Sequence, residues 1–239
     1  MNDRQPLRPP KQHPCLWMMT TIWMKSSRKE LLDVMEAAVC DATASVTFIA
    51  ARYRTPFAVF VSTVVSLRTR DEVTFAVSQR VLSEYPDIKA LAGADAGDLA
   101  ELLKPAAFYH NKSVSLIDAA RQILGRHAGE IPTQIEDLLA LPGVGRKTAQ
   151  LVRAEGHGLP AICVDIHVHR ISNRLGLCDT RKPEETEKIL AACFQEQDWI
   201  RVNRVMVPFG QKVCAPVSPW CSRCPLQAEC PRIGVARNR

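Results

Sequence analysis

Residues 141–149 read Leu141-Pro142-Gly143-Val144-Gly145-Arg146-Lys147-Thr148-Ala149. This order predicts the end of one helix, a tight turn at the two glycines and a second helix that begins near the lysine. Such a turn points several backbone N–H groups at one spot, an arrangement that binds anions. Two glycines around one apolar residue also allow another backbone to approach closely. The stretch is therefore suited to holding the phosphate backbone of a nucleic acid.

Lys147 and Asp165, eighteen residues apart, are the candidate residues for chemistry. A lysine acts as a nucleophile when its amine is neutral, and a carboxylate stabilises a developing cationic sugar. Asp165 also stands where a helix N-cap is expected, before a segment with helical periodicity. Taken alone, Lys147 is better explained as an exposed cation on a helix–turn–helix packing element, so the residues by themselves leave both interpretations open.

Four clustered cysteines predict a metal centre near the end of the chain. Cys214, Cys221, Cys224 and Cys230 follow the spacing C-x6-C-x2-C-x5-C. An iron–sulfur cluster takes four such ligands, whereas structural zinc sites usually present two short-spaced pairs and this motif has only one. We therefore favour a [4Fe–4S] cluster over zinc, and zinc over two disulfides. The remaining cysteines are scattered and are predicted to be buried small hydrophobes: Cys15, Cys40, Cys163, Cys178 and Cys193.

Charge is unevenly distributed along the 239 residues. The net charge is 31 − 25 = +6, with +4 in residues 1–30, −4 in residues 31–198 and +6 in residues 199–239. The basic C-terminal part overlaps the cysteine motif, which suits a polyanionic partner. The length allows one large domain or two modest ones, each with its own core.

Residues 1–27 mix proline, basic residues, tryptophan and methionine without a steady period, and we expect them to form a disordered tail. The apolar segment within them, residues 15–24, is much shorter than the roughly 20 residues that a membrane helix requires. We therefore expect no membrane association. The odd cysteine count and the lack of a convincing secretory signal favour a reducing, intracellular compartment.

Helical periodicity and capping residues recur through the rest of the chain, without an alternating strand pattern. They predict helices at about 28–42, 56–65, 71–84, 95–103, 111–126, 147–155, 165–175, 183–194 and 198–208, with a further helix leading into the glycine turn. The fold class is therefore predicted to be all-α.

Three features in this order resemble the endonuclease III family, part of the helix-hairpin-helix, Gly/Pro-Asp superfamily of DNA glycosylases. They are the glycine turn with its lysine, the segment VDIHVHRISNRLG at 164–176, and the four-cysteine motif. The resemblance covers roughly residues 30–231. It implies a six-helix barrel domain at 49–159, with the helix-hairpin-helix at about 133–155. It also implies an iron–sulfur domain built from 28–48 plus 160–239.

The resemblance further implies a bifunctional DNA glycosylase/AP lyase of base excision repair. Its partner is double-stranded DNA with damaged bases or abasic sites; it excises oxidised pyrimidines and cuts 3′ to the abasic site by Schiff-base β-elimination. Lys147 and Asp165 match the catalytic pair, and the four cysteines match the cluster ligands. Expected DNA contacts are Pro142, Gly143, Val144, Gly145, Arg146, Arg68, Phe108 and Tyr109. A monomer, located in the cytoplasm or nucleoid if bacterial, is expected.

This chain departs from the family pattern at three places. Arg68 lies where members often carry glutamine, Phe108 where leucine is common, and Ile166 where threonine often follows the aspartate. Arg68 motivates an alternative, a glycosylase directed at a mismatch or another lesion. A third hypothesis, a non-catalytic iron–sulfur DNA-binding or redox module, leaves the lysine and aspartate without a use.

Overall fold

The computed structural model describes residues 28–239, so the predicted tail at 1–27 lies outside the described residues. The helices are α1 (Arg28–Ala37), α2 (Ser45–Tyr53), α3 (Pro56–Ser66), α4 (Asp71–Glu84), α5 (Ile88–Ala92), α6 (Ala96–Leu103), α7 (Tyr109–Arg126), α8 (Ile135–Leu139), α9 (Arg146–Leu151), α10 (Ile166–Arg174), α11 (Pro183–Cys193) and α12 (Trp199–Lys212). A π-helical turn, Val152–Gly156, extends α9. Residues 28–239 contain no strand, and the all-α prediction is confirmed. No helix in that range is both long and apolar enough to cross a membrane.

Helix α3 is the central helix of the larger core. The Thr55 hydroxyl accepts a hydrogen bond from the N–H of Ala58, and Pro56 occupies the first turn, where its missing N–H costs nothing. All eight residues from 58 to 65 are buried. The helix packs against α2, α4, α7, α9 and the π-helical turn. The helix predicted at about 56–65 is therefore confirmed.

The buried apolar residues fall into two main clusters. One lies entirely within residues 49–152, and the other combines residues 31–39 with residues 162–226. A small third cluster joins residues from both parts: Val46, Val59, Leu151 and Cys163. The distribution agrees with the expected domain boundaries, which themselves stay a prediction. The hairpin and Asp165 lie where the two parts meet.

Polar contacts attach the N-terminal helix to the C-terminal part of the chain. Arg201 on α12 donates to Asp33 at 2.7 Å and to Glu36 at 2.5 Å, both on α1. Lys212, at the end of α12, donates to Asp41 at 2.8 Å. The second core is therefore built from segments about 170 residues apart in the chain.

Several local predictions differ from the structure. Helix α2 was not predicted, because its N-cap Ala44 provides no side-chain cap. Helix α7 begins at Tyr109, two residues before its predicted start at 111. Helix α12 continues through Pro208 to Lys212, since its buried face keeps the helix in place despite the missing N–H.

The scattered cysteines differ in their burial. Cys163 and Cys178 are buried, as predicted, and Cys193 is half-buried. Cys40 is exposed, and its predicted burial is wrong because it lies in the turn after α1. Cys15 lies outside the described residues.

Candidate active site and cysteine cluster

The turn between α8 and α9 requires a glycine at position 143. Gly143 has a φ of +75°, and a Cβ there would lie 3.0 Å from the Cβ of Ser115 on α7. The next residue, Val144, is buried in the larger core, and its N–H donates to the carbonyl of Leu141 at 3.2 Å. The fold itself therefore accounts for Gly143 and for the apolar residue at the turn.

Gly145 is different, because the fold makes no demand for a glycine there. Its φ of −97° suits any residue, and a Cβ at this position would meet nothing within 4 Å. Within residues 28–239, no backbone carbonyl accepts a hydrogen bond from its N–H. The space beside Gly145 is thus open, and its N–H is a backbone donor that no backbone carbonyl of residues 28–239 satisfies.

Lys147 and Asp165 face each other across the space between α9 and α10. The lysine Nζ lies 3.9 Å from Oδ2 of Asp165; the lysine side chain is 40% exposed and the aspartate side chain 8%. The other oxygen, Oδ1, accepts hydrogen bonds from the N–H groups of His167 and Val168, which confirms the predicted N-cap. One carboxylate therefore starts α10 and also lies beside the amine.

Cys163 supports the backbone beneath the lysine. Its Sγ lies 3.5 Å from the carbonyl oxygen of Lys147, to which it donates, and Asn203 on α12 donates to the carbonyl of Cys163 at 3.1 Å. Burial raises the pKa of the Cys163 thiol to about 12. The thiol is therefore neutral at physiological pH and unsuited to act as a second nucleophile.

Arg146 is held by α11. Its Nε and Nη2 donate to the two carboxylate oxygens of Glu187 at 2.9 and 2.8 Å, and Gln150 donates to the same carboxylate at 2.7 Å. The hydrogen bond to Glu187 raises the pKa of Arg146. Sequence reasoning missed Glu187 and Gln150, because the pairing spans 41 and 37 residues and no motif marks it.

A second ion pair holds the far end of the same segment. Glu155, in the π-helical turn that follows α9, accepts from Nε and Nη2 of Arg204 at 2.8 and 3.0 Å. The Glu155 side chain is only 1% exposed. The segment that carries Lys147 is thus bound at its first residue to α11 and after its last residue to α12.

A cleft of about 300 Å³ lies on the α7 side of the hairpin. It is lined by Val64, Leu67, Arg68, Phe108, Asn111, Lys112, Ser115 and Gly143. The guanidinium carbon of Arg68 lies 5.4 Å from the centre of the Phe108 ring. The ring of Tyr109 instead lies 4.2 Å from that of His110. The structure therefore brings the expected DNA contacts Arg68 and Phe108 together with the hairpin.

The four C-terminal cysteines line one apolar cavity. None of them forms a disulfide. Arg174 donates to Sγ of Cys214 at 3.4 Å and to the carbonyl of Ala215 at 2.7 Å. Burial raises the pKa of the Cys224 thiol to about 11 and also raises the pKa of Cys230. Burial thus favours the neutral thiol at Cys224 and Cys230, and a positive metal centre is the group that stabilises the ionised form.

The four cysteine sulfurs are the type of ligand that binds an iron–sulfur cluster. Among residues 28–239, no three His, Cys, Asp or Glu side chains stand in a ready-made metal-binding arrangement. The four sulfur atoms nevertheless border the same cavity, whose lining contains no carboxylate. Arg174 offers an N–H to one sulfur. Thiols without oxygen ligands favour iron–sulfur or zinc over hard cations.

Arginines surround the cysteine loop. The guanidinium carbons of Arg223 and Arg239 lie 4.1 and 4.0 Å from the centre of the Trp220 ring. Together with Arg232 and Arg237, they form the loop arginines. In the part of the chain that the structure describes, none of the four pairs with a carboxylate. Their positive charge is therefore available to a polyanion.

Comparison with known proteins identifies the family. A model described as "HhH-GPD superfamily base excision DNA repair protein" matches residues 61–196, more than half of the chain. The matched span includes the hairpin, Lys147, Asp165, Arg68 and Phe108. The chain belongs to the HhH-GPD superfamily of base excision DNA repair proteins.

Its relatives within the superfamily include endonuclease III of Thermotoga maritima, 44% identical over 77% of this chain and 89% of the relative. Endonuclease III-like protein 1 of Mus musculus is 36% identical over 96% of this chain and 77% of the relative. A trapped endonuclease III–DNA covalent intermediate matches with a TM-score of 0.77 and 30% identity, over 85% of this chain and 94% of the other. A thermostable thymine-DNA glycosylase, 17% identical with a TM-score of 0.72, shares the fold.

Proposed function

We propose that this HhH-GPD protein excises oxidised pyrimidines from double-stranded DNA and cuts the strand 3′ to the resulting abasic site. Its family and its endonuclease III relatives make it a base excision repair DNA glycosylase with AP-lyase activity. The observation that carries the assignment of residues is the 3.9 Å approach of the Lys147 amine to Asp165 beside an open hairpin. The lesion class rests on the resemblance to endonuclease III.

In the proposed first stage, the damaged nucleotide leaves the base stack, because its C1′ atom is out of reach inside the duplex. Once its ammonium has given a proton to solvent, Lys147 attacks C1′ and forms a C–N bond. The glycosidic bond breaks, and the base departs with that electron pair and takes up a proton. The Asp165 carboxylate stabilises the positive charge that develops on the sugar.

In the second stage, the lysine nitrogen loses a proton. The electron pair that stays on the nitrogen then forms a C1′=N double bond. The C1′–O4′ bond breaks, and O4′ keeps the electron pair and is protonated. Removal of a proton from C2′ then forms a C2′=C3′ double bond and expels the 3′ phosphate oxygen with its electron pair. Water finally hydrolyses the imine and frees Lys147.

The DNA contacts divide between backbone and side chains. Pro142, Gly143, Val144 and Gly145 are proposed to hold a phosphate through the turn, with the open N–H of Gly145 as the main supporting observation. The side chain of Val144 is buried and its N–H donates to Leu141, so Val144 supports the shape of the turn and leaves the free donors to its neighbours. Arg146 contributes positive charge while Glu187 fixes its orientation.

Three further side chains are proposed to contact the DNA around the flipped nucleotide. Arg68 and Phe108 lie beside the cleft and are proposed to fill the space that the nucleotide vacates. Tyr109, at the start of α7, is proposed to support the adjacent strand.

We assign a [4Fe–4S] cluster to Cys214, Cys221, Cys224 and Cys230, on the basis of their shared cavity and the family resemblance. When bound, the cluster would tie the loop that carries the unpaired loop arginines. Purified protein should therefore absorb broadly in the visible range and contain iron and sulfide. Cys224→Ser should lose this absorption, and a colourless wild-type protein that contains zinc would contradict the assignment.

One copy of the chain supplies every residue in the proposed mechanism, and we propose that it acts as a monomer. Because its proposed substrate is genomic DNA, we place the enzyme in the compartment that holds the DNA, the cytoplasm and nucleoid if the organism is bacterial.

Borohydride trapping tests the proposed reaction. Incubation with duplexes that contain thymine glycol or an abasic site should give a covalent protein–DNA adduct, because borohydride reduces the imine. Lys147→Ala should give none. Lys104→Ala, at an exposed lysine paired with Glu101, is the matched control and should trap like the wild type.

A lesion panel with each of the four opposite bases accompanies this experiment. Release of another base without any reaction at oxidised pyrimidines would overturn the lesion class. Trapping by Lys147→Ala at the wild-type rate would overturn the choice of nucleophile.

A further inference from the structure

Two loops beside the cleft adopt backbone conformations that ordinary residues rarely use. Arg68, between α3 and α4, has a φ of +54°, and Phe108, just before α7, has a φ of +57°. A left-handed conformation costs an L-residue roughly 1–2 kcal/mol, so surrounding contacts must hold each loop in place. Phe108 is 57% exposed. The structure thus presents two strained residues whose side chains lie together beside the cleft.

A buried lysine connects these loops. Lys112 on α7 is 6% exposed, and its Nζ donates to the carbonyls of Val65 and Leu67 at 2.7 and 2.8 Å and to Oγ1 of Thr69 at 2.9 Å. The same Thr69 oxygen accepts from the N–H of Ala107 at 3.2 Å. A continuous chain of hydrogen bonds therefore runs from the loop before Phe108 to both sides of Arg68.

Lys112 lacks a counter-charge in the part of the chain that the structure describes. Within residues 28–239, no carboxylate lies within ion-pair distance of Lys112, and its burial lowers its pKa to about 8. A buried unpaired cation is destabilising unless its hydrogen bonds are complete. All three ammonium donors are engaged by protein oxygens. Lys112 is therefore neither free to contact a phosphate nor placed to act as a nucleophile.

We propose that Lys112 is a positioning residue that joins the two loops into one rigid unit, so that Arg68 and Phe108 enter the duplex together when a nucleotide is flipped. The proposal rests on the proposed function, because it concerns the flipping step of that reaction. Opening the stack costs a few kcal/mol, and side chains that are already in place lose less entropy on entering the gap.

The test compares substrates that differ in the cost of flipping. Lys112→Met removes the three hydrogen bonds while keeping an apolar stem. Thr69→Val removes the hydroxyl that accepts from Lys112 and from the N–H of Ala107 and that donates to the carbonyl of Leu67, and it leaves the bonds of Lys112 to Val65 and Leu67 in place. Ser113→Ala is the matched control, since the hydroxyl of this buried neighbour donates to the carbonyl of His110 within α7. Single-turnover borohydride trapping is measured on an abasic site in a paired duplex and on the same site in an unpaired bubble.

We expect both variants to trap about tenfold more slowly than wild type on the paired duplex and close to the wild-type rate in the bubble. The fluorescence rise of 2-aminopurine beside the abasic site should slow by the same factor on the duplex. Ser113→Ala should match wild type on both substrates. If Lys112→Met does not fold, as judged by circular dichroism, Thr69→Val decides alone.

Equal losses on the two substrates, or no loss on the paired duplex, would overturn the role of Lys112. Failure of the proposed function itself looks different, because the wild type would then form no adduct with either substrate.

Discussion

Asp165 combines two roles in one side chain, and a single substitution separates them. Oδ1 caps α10, while Oδ2 faces Lys147. An asparagine at this position would be as good a cap as the native aspartate, but it has no charge with which to stabilise a cationic sugar. We expect Asp165→Asn to lower single-turnover base excision by about 100-fold or more while the melting temperature stays close to that of wild type.

The matched variant is Asp165→Ala, which also removes the cap. Its free energy of unfolding should be about 1 kcal/mol lower than that of Asp165→Asn, as measured by thermal unfolding. Base excision by Asp165→Asn within a few-fold of wild type would show that the charge is not needed, and that this aspartate serves the fold alone.

Cys163 gives a prediction about pH. Burial raises its pKa to about 12 from an ordinary value of 9.0, so the native thiol stays protonated where an unfolded one would ionise. Its stabilising contribution is complete below pH 9 and is lost as the pH rises toward 12. At about pH 8, iodoacetamide should label the exposed Cys40 and leave Cys163 unlabelled, as read by peptide mass spectrometry. Rapid labelling of Cys163 in folded protein would contradict this burial.

At the residue scale, the sequence was informative wherever a residue type carried its own signal. Asp165 could be recognised as a cap because cap residues precede helical periodicity. Glu187 and Lys112 could not be recognised, because their roles come only from partners about 40 or more residues away. Sequence spacing also gave no reason for Lys147 to lie beside Asp165; the family resemblance supplied that expectation.

Among the elements, α9 is the helix whose position matters most for the proposed reaction, because it carries Lys147. Contacts hold this segment at both ends. Glu187 binds Arg146 and Gln150 from α11, so its charge matters more than that of an ordinary surface acid. We expect Glu187→Gln to lower the free energy of unfolding by about 1–2 kcal/mol, since Arg146 is partly exposed and screened. Borohydride trapping should slow several-fold, because a small shift of Lys147 is costly for a reaction that depends on orientation.

Glu184→Gln provides the control on the same helix. Glu184 is exposed and occupies the first turn of α11, so its loss should change stability by less than about 0.5 kcal/mol. If both variants behave alike in urea unfolding and in trapping, the contact between α11 and α9 has no special role.

Helix boundaries could be predicted where particular residue types mark them. Helix α3 was predicted closely because Thr55 and Pro56 mark its start. The turn after α9 adopts a π-helical form that no sequence pattern indicated, and it places Glu155 against Arg204. Val144 shows the opposite limit: it was expected at the DNA surface as part of the hairpin, but tertiary packing buries its side chain in the core.

On the scale of the whole molecule, the second core is built from two segments that lie far apart in the chain. Residues 31–39 pack with residues 162–226, so the second core forms only when both ends of the described chain come together. Periodicity predicts the helices but not this pairing, because each helix shows an apolar face without specifying its partner. The resemblance to a known family supplied the expected topology.

Charge is the property that belongs to the molecule as a whole. Arg201, Arg204 and Lys212 are paired with acids, whereas the four loop arginines are not paired with any acid in residues 28–239. The unpaired positive charge of residues 199–239 is therefore concentrated around the cysteine loop. If this surface holds DNA phosphates, binding must weaken linearly on a log–log plot as salt increases, because bound phosphates release their counterions.

The slope of that plot counts phosphate contacts, so each loop arginine can be tested singly. We expect Arg232→Ala to reduce the slope by about one and to weaken binding to the same extent on every sequence, as measured by fluorescence anisotropy between low and moderate salt. Lys104→Ala, whose charge is already paired with Glu101, should leave the slope unchanged. An unchanged slope in Arg232→Ala and in the corresponding variants of the other loop arginines would place the DNA away from the cysteine loop. The unpaired charge would then be an ordinary solvated surface.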